Sequence, residues 1–370
     1  MVRLSKCSVD KNELNAISGV LKNEFFGTGP LTKQFEDDLS KYFNNDNYSL
    51  VCTNTGTSAI QLAIQACHFP PKSEILVPSL TYVASFQAIT AAGHKPIACD
   101  INENDGLLSI SDAKNRITSK TKAVMLVHYN GHVGNLDEYY TFAKENNLKV
   151  VEDAAHAFGS RYKKKLIGSI GEIACFSFDG IKNITCGEGG MVISSDRKLI
   201  ESISDYRLLG VQGDSKKRAQ KKRSWDFDVQ EQGWRYHMSD IMAAIGIEQL
   251  KKFEVSFKKR RKELNKYYRH KLEKNKNIML FDTDLDNVVP HIFPIRLESD
   301  RKIILMKKLK ENGIQSGLHY KPNHLLSFFK TKYNLPVSET VYPQLITLPF
   351  HVDLKRKEID LICKIISHIT

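Results

Sequence analysis

Between about residues 50 and 195, short apolar runs alternate with helical stretches, as a predominantly parallel α/β sheet requires. The candidate strands are Ser49 to Cys52, Glu74 to Val77, Pro96 to Asp100, Ala123 to His128, Lys149 to Glu152, Ala174 to Phe178 and Gly190 to Ser194. They run continuously apolar rather than alternating, the pattern of strands buried on both faces. Between them, Ser58 to Cys67 places Ile60, Ala63, Ile64 and Cys67 at i, i+3, i+4 and i+7, which predicts a helix with one buried stripe. Asp137 to Glu145 predicts a second. After about residue 240 the texture changes: an apolar helix, Ile241 to Leu250, leads into a charged helix, Lys251 to Lys274, a strand-like segment, His291 to Leu297, and a mixed stretch to Thr370. The expected architecture is a large domain over residues 1–240, including an N-terminal segment, and a smaller C-terminal α+β domain over 241–370. No Gly/Ser-rich linker or repeat interrupts it.

With 370 residues, 41% of them apolar, the chain can bury a sizeable core. Met1 to Asn15 has no apolar signal region and no stretch matches a membrane span, so the expected location is cytoplasmic, without membrane insertion. Seven scattered cysteines without CxxC spacing argue against a disulfide framework and a zinc cluster. His128 and His132 are four apart but span a turn signal, Tyr129-Asn130-Gly131, so no metal site is expected there. A net charge of +12 suits anionic partners without choosing among them. Nucleic acid is disfavoured because no helix-turn-helix, zinc or ribonucleoprotein motif accompanies the charge. The most basic run, Lys216 to Arg223, precedes Ser224-Trp225-Asp226-Phe227 and reads as a charged loop, either solvated or holding an anionic substrate.

Three segments at strand ends must be judged together. Thr53-Asn54-Thr55-Gly56-Thr57-Ser58-Ala59 is a glycine-containing turn into a helix. Free N–H groups and the helix dipole make such a turn a phosphate site, although Thr57 or Ser58 could equally be a plain N-cap. It lacks the Gly-Lys-Ser/Thr ending of a Walker loop. In Val150-Val151-Glu152-Asp153-Ala154-Ala155-His156, an apolar strand ends on carboxylates that need a cationic partner. A protonated pyridine nitrogen would serve, the alanines would admit a flat ring, and His156 could pack on that ring or bind its phenolic oxygen. In the run from Cys175 to Gly190, Lys182 follows a strand end and precedes a glycine-rich segment; a lysine nucleophile needs a lowered pKa, which burial and nearby cations supply. Singly, each has an ordinary structural explanation. In this order along one α/β domain, they form an arrangement that anchors pyridoxal 5′-phosphate (PLP).

These residues closely resemble the DegT/DnrJ/StrS family of PLP-dependent sugar aminotransferases, over almost the whole chain. Phe26-Gly27-Thr28-Gly29-Pro30 with Phe35-Glu36, Pro78-Ser79-Leu80-Thr81-Tyr82-Val83-Ala84-Ser85, Glu152 to His156 and Phe176 to Gly190 carry the resemblance. It implies a fold-type I aminotransferase in which Lys182 forms the internal aldimine and shuttles the proton, while Asp153 keeps the pyridine nitrogen protonated. It also implies that Tyr82 stacks on one face of the ring with His156 near the other, and that Thr57, Ser58 and Ser177 hold the phosphate. The implied cycle takes an amino group from L-glutamate, passes through pyridoxamine phosphate, and delivers it to the keto carbon of a nucleotide-linked sugar. The homodimer would share its active sites. Gly233 to Ile241 resembles the cross-subunit segment, but Arg235 and His237 stand where many members have an asparagine at one of two positions. An arginine fork there would suit the PLP phosphate or a nucleotide diphosphate. Gly317 to Pro322 resembles a substrate-proximal loop, with His319 and Tyr320 as substrate or structural residues. Relatives with histidine in place of the lysine act as deoxysugar dehydratases; Lys182 predicts transamination, with deoxyaminosugar or lipopolysaccharide O-antigen biosynthesis as the setting. A silent regulatory relative and a PLP enzyme acting on amino acids are the alternatives.

Overall fold

The computed structural model describes residues 1–222 and 225–369 of the chain. Its centre is a seven-stranded sheet built from β1 (Ser49–Thr53), β2 (Glu74–Pro78), β3 (Lys95–Cys99), β4 (Thr121–Val127), β5 (Lys149–Asp153), β8 (Ile173–Ser177) and β9 (Gly190–Ser194). A two-stranded hairpin, β6 (Arg161–Tyr162) and β7 (Lys165–Leu166), lies between β5 and β8 in sequence. The spatial order is β3-β2-β4-β5-β8-β9-β1. Neighbours from β3 to β8 are parallel, while β9 runs antiparallel to both β8 and β1. All five residues of β2, β8 and β9 are buried, as continuous apolar runs demand. One core packs beneath each face, with Phe35, Leu76, Phe158 and Phe176 in the first and Val51, Leu62, Val77 and Val151 in the second.

The stripe predicted for Ser58 to Cys67 belongs to a helix over Gly56–Gln65, and the one predicted at Asp137 spans Leu136–Glu145. The opening Gly-x-Gly-Pro segment caps a helix, Pro30–Phe43. Asp240 accepts hydrogen bonds from Gly29 N–H (2.8 Å) and Thr32 N–H (2.9 Å), filling donors that a helix start leaves free. A Cβ on Gly29 would meet the Phe25 ring at 2.2 Å and Asp240 Oδ2 at 2.9 Å, so glycine is what lets the clamp close. The helix Asp240–Lys252 packs Ala243 and Ile247 into the core of the large sheet.

Beyond a π-turn at Phe253–Phe257, the helix Lys258–Leu272 turns Arg261, Leu264, Tyr268 and Leu272 inward. It covers a smaller antiparallel sheet of β10 (Met279–Leu280), β11 (Phe293–Arg296) and β12 (Leu345–Leu348), with its own core around Tyr268, Phe293, Leu305 and Ile362. The basic run departs from the expected loop: Asp214–Ala219 forms a short helix, aided by the i,i+4 pair Asp214–Arg218 at 2.6 Å. Arg223 and Ser224 lie outside the described residues. Among the described residues, no helix is long and apolar enough to cross a membrane.

Candidate active site

The C-terminal ends of β5 and β8 open onto a cavity of about 480 Å³, on the side where open α/β sheets bind ligands. Successive side chains on a strand point to opposite faces, so the two acids ending β5 part. Glu152 turns away into a buried pair with His128 Nε2 at 2.6 Å, and its other oxygen accepts the Tyr140 hydroxyl at 2.5 Å. Asp153 turns into the cavity, accepting from Ser85 Oγ at 2.7 Å and Ala155 N–H at 3.2 Å. Both donors are neutral. The charge of a buried carboxylate is therefore left for a cationic group in the cavity, as a protonated pyridine nitrogen would be.

Lys182 sits in a turn after β8 that is closed by its N–H to Asp179 O at 3.0 Å. Burial pushes its ammonium below the ordinary lysine range. Asp179 and Asp153 pull the other way, and Arg261 adds to the lowering.

Opposite, the helix Gly56–Gln65 presents its N-terminus. Thr55 is the cap, accepting Ser58 N–H at 3.0 Å, while Ser58 Oγ accepts Thr55 N–H at 3.2 Å. Ser58 Oγ also lies 2.8 Å from Asn54 Oδ1. Of the two expectations for Ser58 the geometry favours the cap: its hydroxyl and amide are committed there, and it is not among the residues lining the cavity. Thr57 and Ser177 do line it, together with Gly56, and the first-turn N–H groups have no partner within the helix. A Cβ on Gly56 would meet Ser177 Cβ at 2.7 Å. Glycine is thus what lets the helix start and the strand end converge on one anion.

The remaining wall comes from His156, His319 and Tyr320, with Tyr82 at the rim, 57% exposed. Asn130 N–H donates to His156 Nδ1 at 3.3 Å, which places the neutral ring's proton on Nε2, donated to Tyr320 Oη at 3.0 Å. Burial, then the proximity of Lys182 and His319, keeps His156 neutral. His319 Nδ1 lies 3.0 Å from Thr347 Oγ1, and burial with Lys182 pushes its pKa down to about 4. Tyr82 and Tyr320 pack with ring centroids 5.5 Å apart.

Arg235 and His237 lie outside this cavity. Their segment runs beside the end of β1, with Thr53 bridging His237 and Asn54 N–H bonded to Tyr236 O at 2.7 Å. Arg235 is exposed; His237 is pushed down to about 4, first by burial and then by Arg235, Arg218 and Arg207. Sequence reasoning missed Ser85 and its neighbour Thr81 (3.0 Å), although both stand within the Pro78 to Ser85 segment. It also missed Asp179 and Glu188 on the cavity wall and Arg261 behind Lys182. Among the described residues, no group of three or more His, Cys, Asp or Glu side chains is placed to hold a metal ion.

A paired helix start and strand end for a phosphate, an acid with charge to spare and a lysine of lowered basicity fit PLP. Fold and site together define a fold-type I PLP-dependent aminotransferase. The chain belongs to the DegT/DnrJ/EryC1/StrS aminotransferase family, whose sequence profile matches residues 7–367. It is 34% identical over 354 residues to an uncharacterised protein of Methanocaldococcus jannaschii, covering 93% of this chain and 91% of the other. Among solved structures it is similar to Spr1654 of Streptococcus pneumoniae, described as a sugar aminotransferase and solved in PMP and PLP forms. For the PMP form the TM-score is 0.91 at 27% identity, over 99% of this chain and 98% of that one. Helicobacter pylori PseC, described as an aminotransferase involved in the biosynthesis of pseudoaminic acid, superposes with a TM-score of 0.90 at 25% identity, over 100% and 98% of the two chains. The chain is an aminotransferase.

Proposed function

We propose that the enzyme takes an amino group from L-glutamate and delivers it to the keto carbon of a nucleotide-linked sugar, in deoxyaminosugar synthesis for a surface polysaccharide such as lipopolysaccharide O-antigen. It would work in the cytoplasm as a homodimer with shared sites. The observation that carries this reading is the single cavity of about 480 Å³ in which Lys182, Asp153, Thr57 and Ser177 meet neutral hydrogen-bonding groups from His319 and Tyr320. Such groups suit a hydroxylated acceptor, and the +12 net charge suits a nucleotide diphosphate. The sugar aminotransferase description of Spr1654 and the pseudoaminic acid role of PseC support a sugar acceptor.

PLP, when bound, supplies the electron sink for cleavage of a bond at the amino donor's α-carbon. Thr57 and Ser177 would hold its phosphate and Asp153 its pyridine nitrogen. Lys182 Nζ would hold the cofactor and then accept and return the α-proton, for which a basicity below the ordinary lysine range is suited. Tyr82 and His156 would flank the ring. The reading takes the chain as a large cofactor-binding domain to about residue 240 and a smaller one beyond it, which supplies His319 and Tyr320.

The test is an absorption spectrum with added PLP, titration with L-glutamate, and then a panel of dTDP-, UDP- and GDP-linked 3-keto and 4-keto sugars. A visible band that is converted by L-glutamate and restored by one panel member is expected. Conversion by a different amino acid alone would remove glutamate, and an amino form that no panel member discharges would remove the nucleotide-linked acceptor.

A further inference from the structure

Four arginines are buried among the described residues. Three have carboxylate partners: Arg116 with Asp112 at 2.7 Å, Arg207 with Glu36 at 2.6 Å and Arg296 with Glu103 at 2.5 Å. Arg261, 3% exposed, makes no ion pair with a described residue. Its Nη1 donates to Pro290 O at 3.4 Å and His291 O at 3.1 Å, its Nη2 to Lys182 O at 3.5 Å, and its Nε has no partner. The Phe350 ring centroid lies 5.8 Å from the guanidinium carbon. Carbonyls and a ring face are weak compensation for a desolvated cation, and buried charges of this kind are normally paired.

The field of this charge falls on the turn it touches. On the cavity side, Asp179 and Asp153 favour the ammonium form of Lys182. His156, His291 and His319 around it are kept neutral, chiefly by burial. On Arg261's own helix, Lys258 is occupied by Glu254 and Lys262 by Asp286 O. We propose that Arg261 is a positioning residue that acts through Lys182, its unpaired charge behind the turn opposing Asp179 and Asp153 and favouring the neutral lysine nitrogen that a nucleophile and proton carrier requires. Arg261 and burial both lower the basicity of Lys182, and Arg261, itself pushed down by burial to about 10, stays cationic at neutral pH.

The inference rests on Lys182 carrying the cofactor, so borohydride reduction of the holoenzyme and peptide mapping come first. An adduct on another lysine would sink that assignment; an adduct on Lys182 leaves the role of Arg261 to be tested separately. The pH at which the bound cofactor's visible absorption changes is then measured for the wild type, Arg261→Gln and Arg261→Lys, with thermal unfolding followed in parallel. Loss of the charge is expected to raise the midpoint by about one pH unit, while Arg261→Lys stays near the wild type. A Gln variant that loses stability at an unmoved midpoint, or a Lys variant that moves as far as Gln, would show a structural clamp and overturn the proposal. Should Arg261→Gln fail to fold, Arg261→Met, which keeps much of the packing volume without the charge, is measured in its place: a midpoint raised by about one pH unit sustains the idea, and an unmoved one sinks it.

Discussion

At the scale of single residues, the site depends on which side chains spend their polar groups locally and which keep them for the cavity. Asp153 is held by two neutral donors and Glu152, one residue earlier, by His128 and Tyr140. Asp153→Asn should still bind PLP but transaminate at least about a hundredfold more slowly, about 2.7 kcal/mol in barrier, because an amide cannot hold a pyridinium proton. Single-turnover kinetics with L-glutamate checks this, and an unchanged rate would remove Asp153 from its role. Ser85→Ala deletes one hydrogen bond to that carboxylate, and a milder loss of about fivefold, roughly 1 kcal/mol, is expected in the same assay. That Asp153 and Lys182 would meet in one cavity was legible in the sequence, because each follows an apolar run, where a charge is conspicuous. Ser85 was not, since its contact spans 68 residues. Which hydroxyl caps the helix was not legible, because Thr55, Thr57 and Ser58 are alike in the sequence and only the helix start decides which one caps and which one faces outward.

At the scale of elements, the site exists because the helix Gly56–Gln65 and the end of β8 come almost into contact. Gly56→Ala must push Ser177 away, since neither Cβ can move without its backbone. Overpacking of this kind costs about 1–3 kcal/mol, and here the strain falls on the helix start and strand end proposed to hold the phosphate. Cofactor affinity, read from an absorption titration, should therefore fall about ten- to a hundredfold. Wild-type affinity would mean that the phosphate is held elsewhere. The seven strands were readable from their continuous apolar character. The reversed direction of β9 was not, because an apolar run carries no arrow, and it shows only in the antiparallel pairing with the distant β1, Ser49 opposite Ser194 and Thr53 opposite Gly190. The helix at Asp214–Ala219 was hidden by its charge, its support being a single ion pair along one turn.

At the scale of the whole molecule, two consequences follow from how the chain encloses the cavity. His156, His291 and His319 are all kept neutral by burial, the last with a pKa of about 4 against an ordinary 6.5. The unfolded chain takes up protons at these imidazoles before the folded one does, so their contribution is full above about pH 6.5 and is lost as the pH falls toward 4. The thermal midpoint should drop through that window, and His319→Gln should flatten the slope; a midpoint insensitive to pH there would show the rings already charged. The second consequence concerns Arg235, which is exposed and outside the cavity of its own subunit, beside the strand that leads into Gly56. If a twofold partner receives it, each site combines Lys182 of one chain with Arg235 of the other. Lys182→Ala and Arg235→Ala should then each be nearly inactive as homodimers. After subunit exchange, half the dimers are mixed, and each mixed dimer holds one site with both residues intact, so activity should return to about a quarter of wild type. Light scattering tests for the dimer, and a mixture no more active than its components would confine the site to one chain.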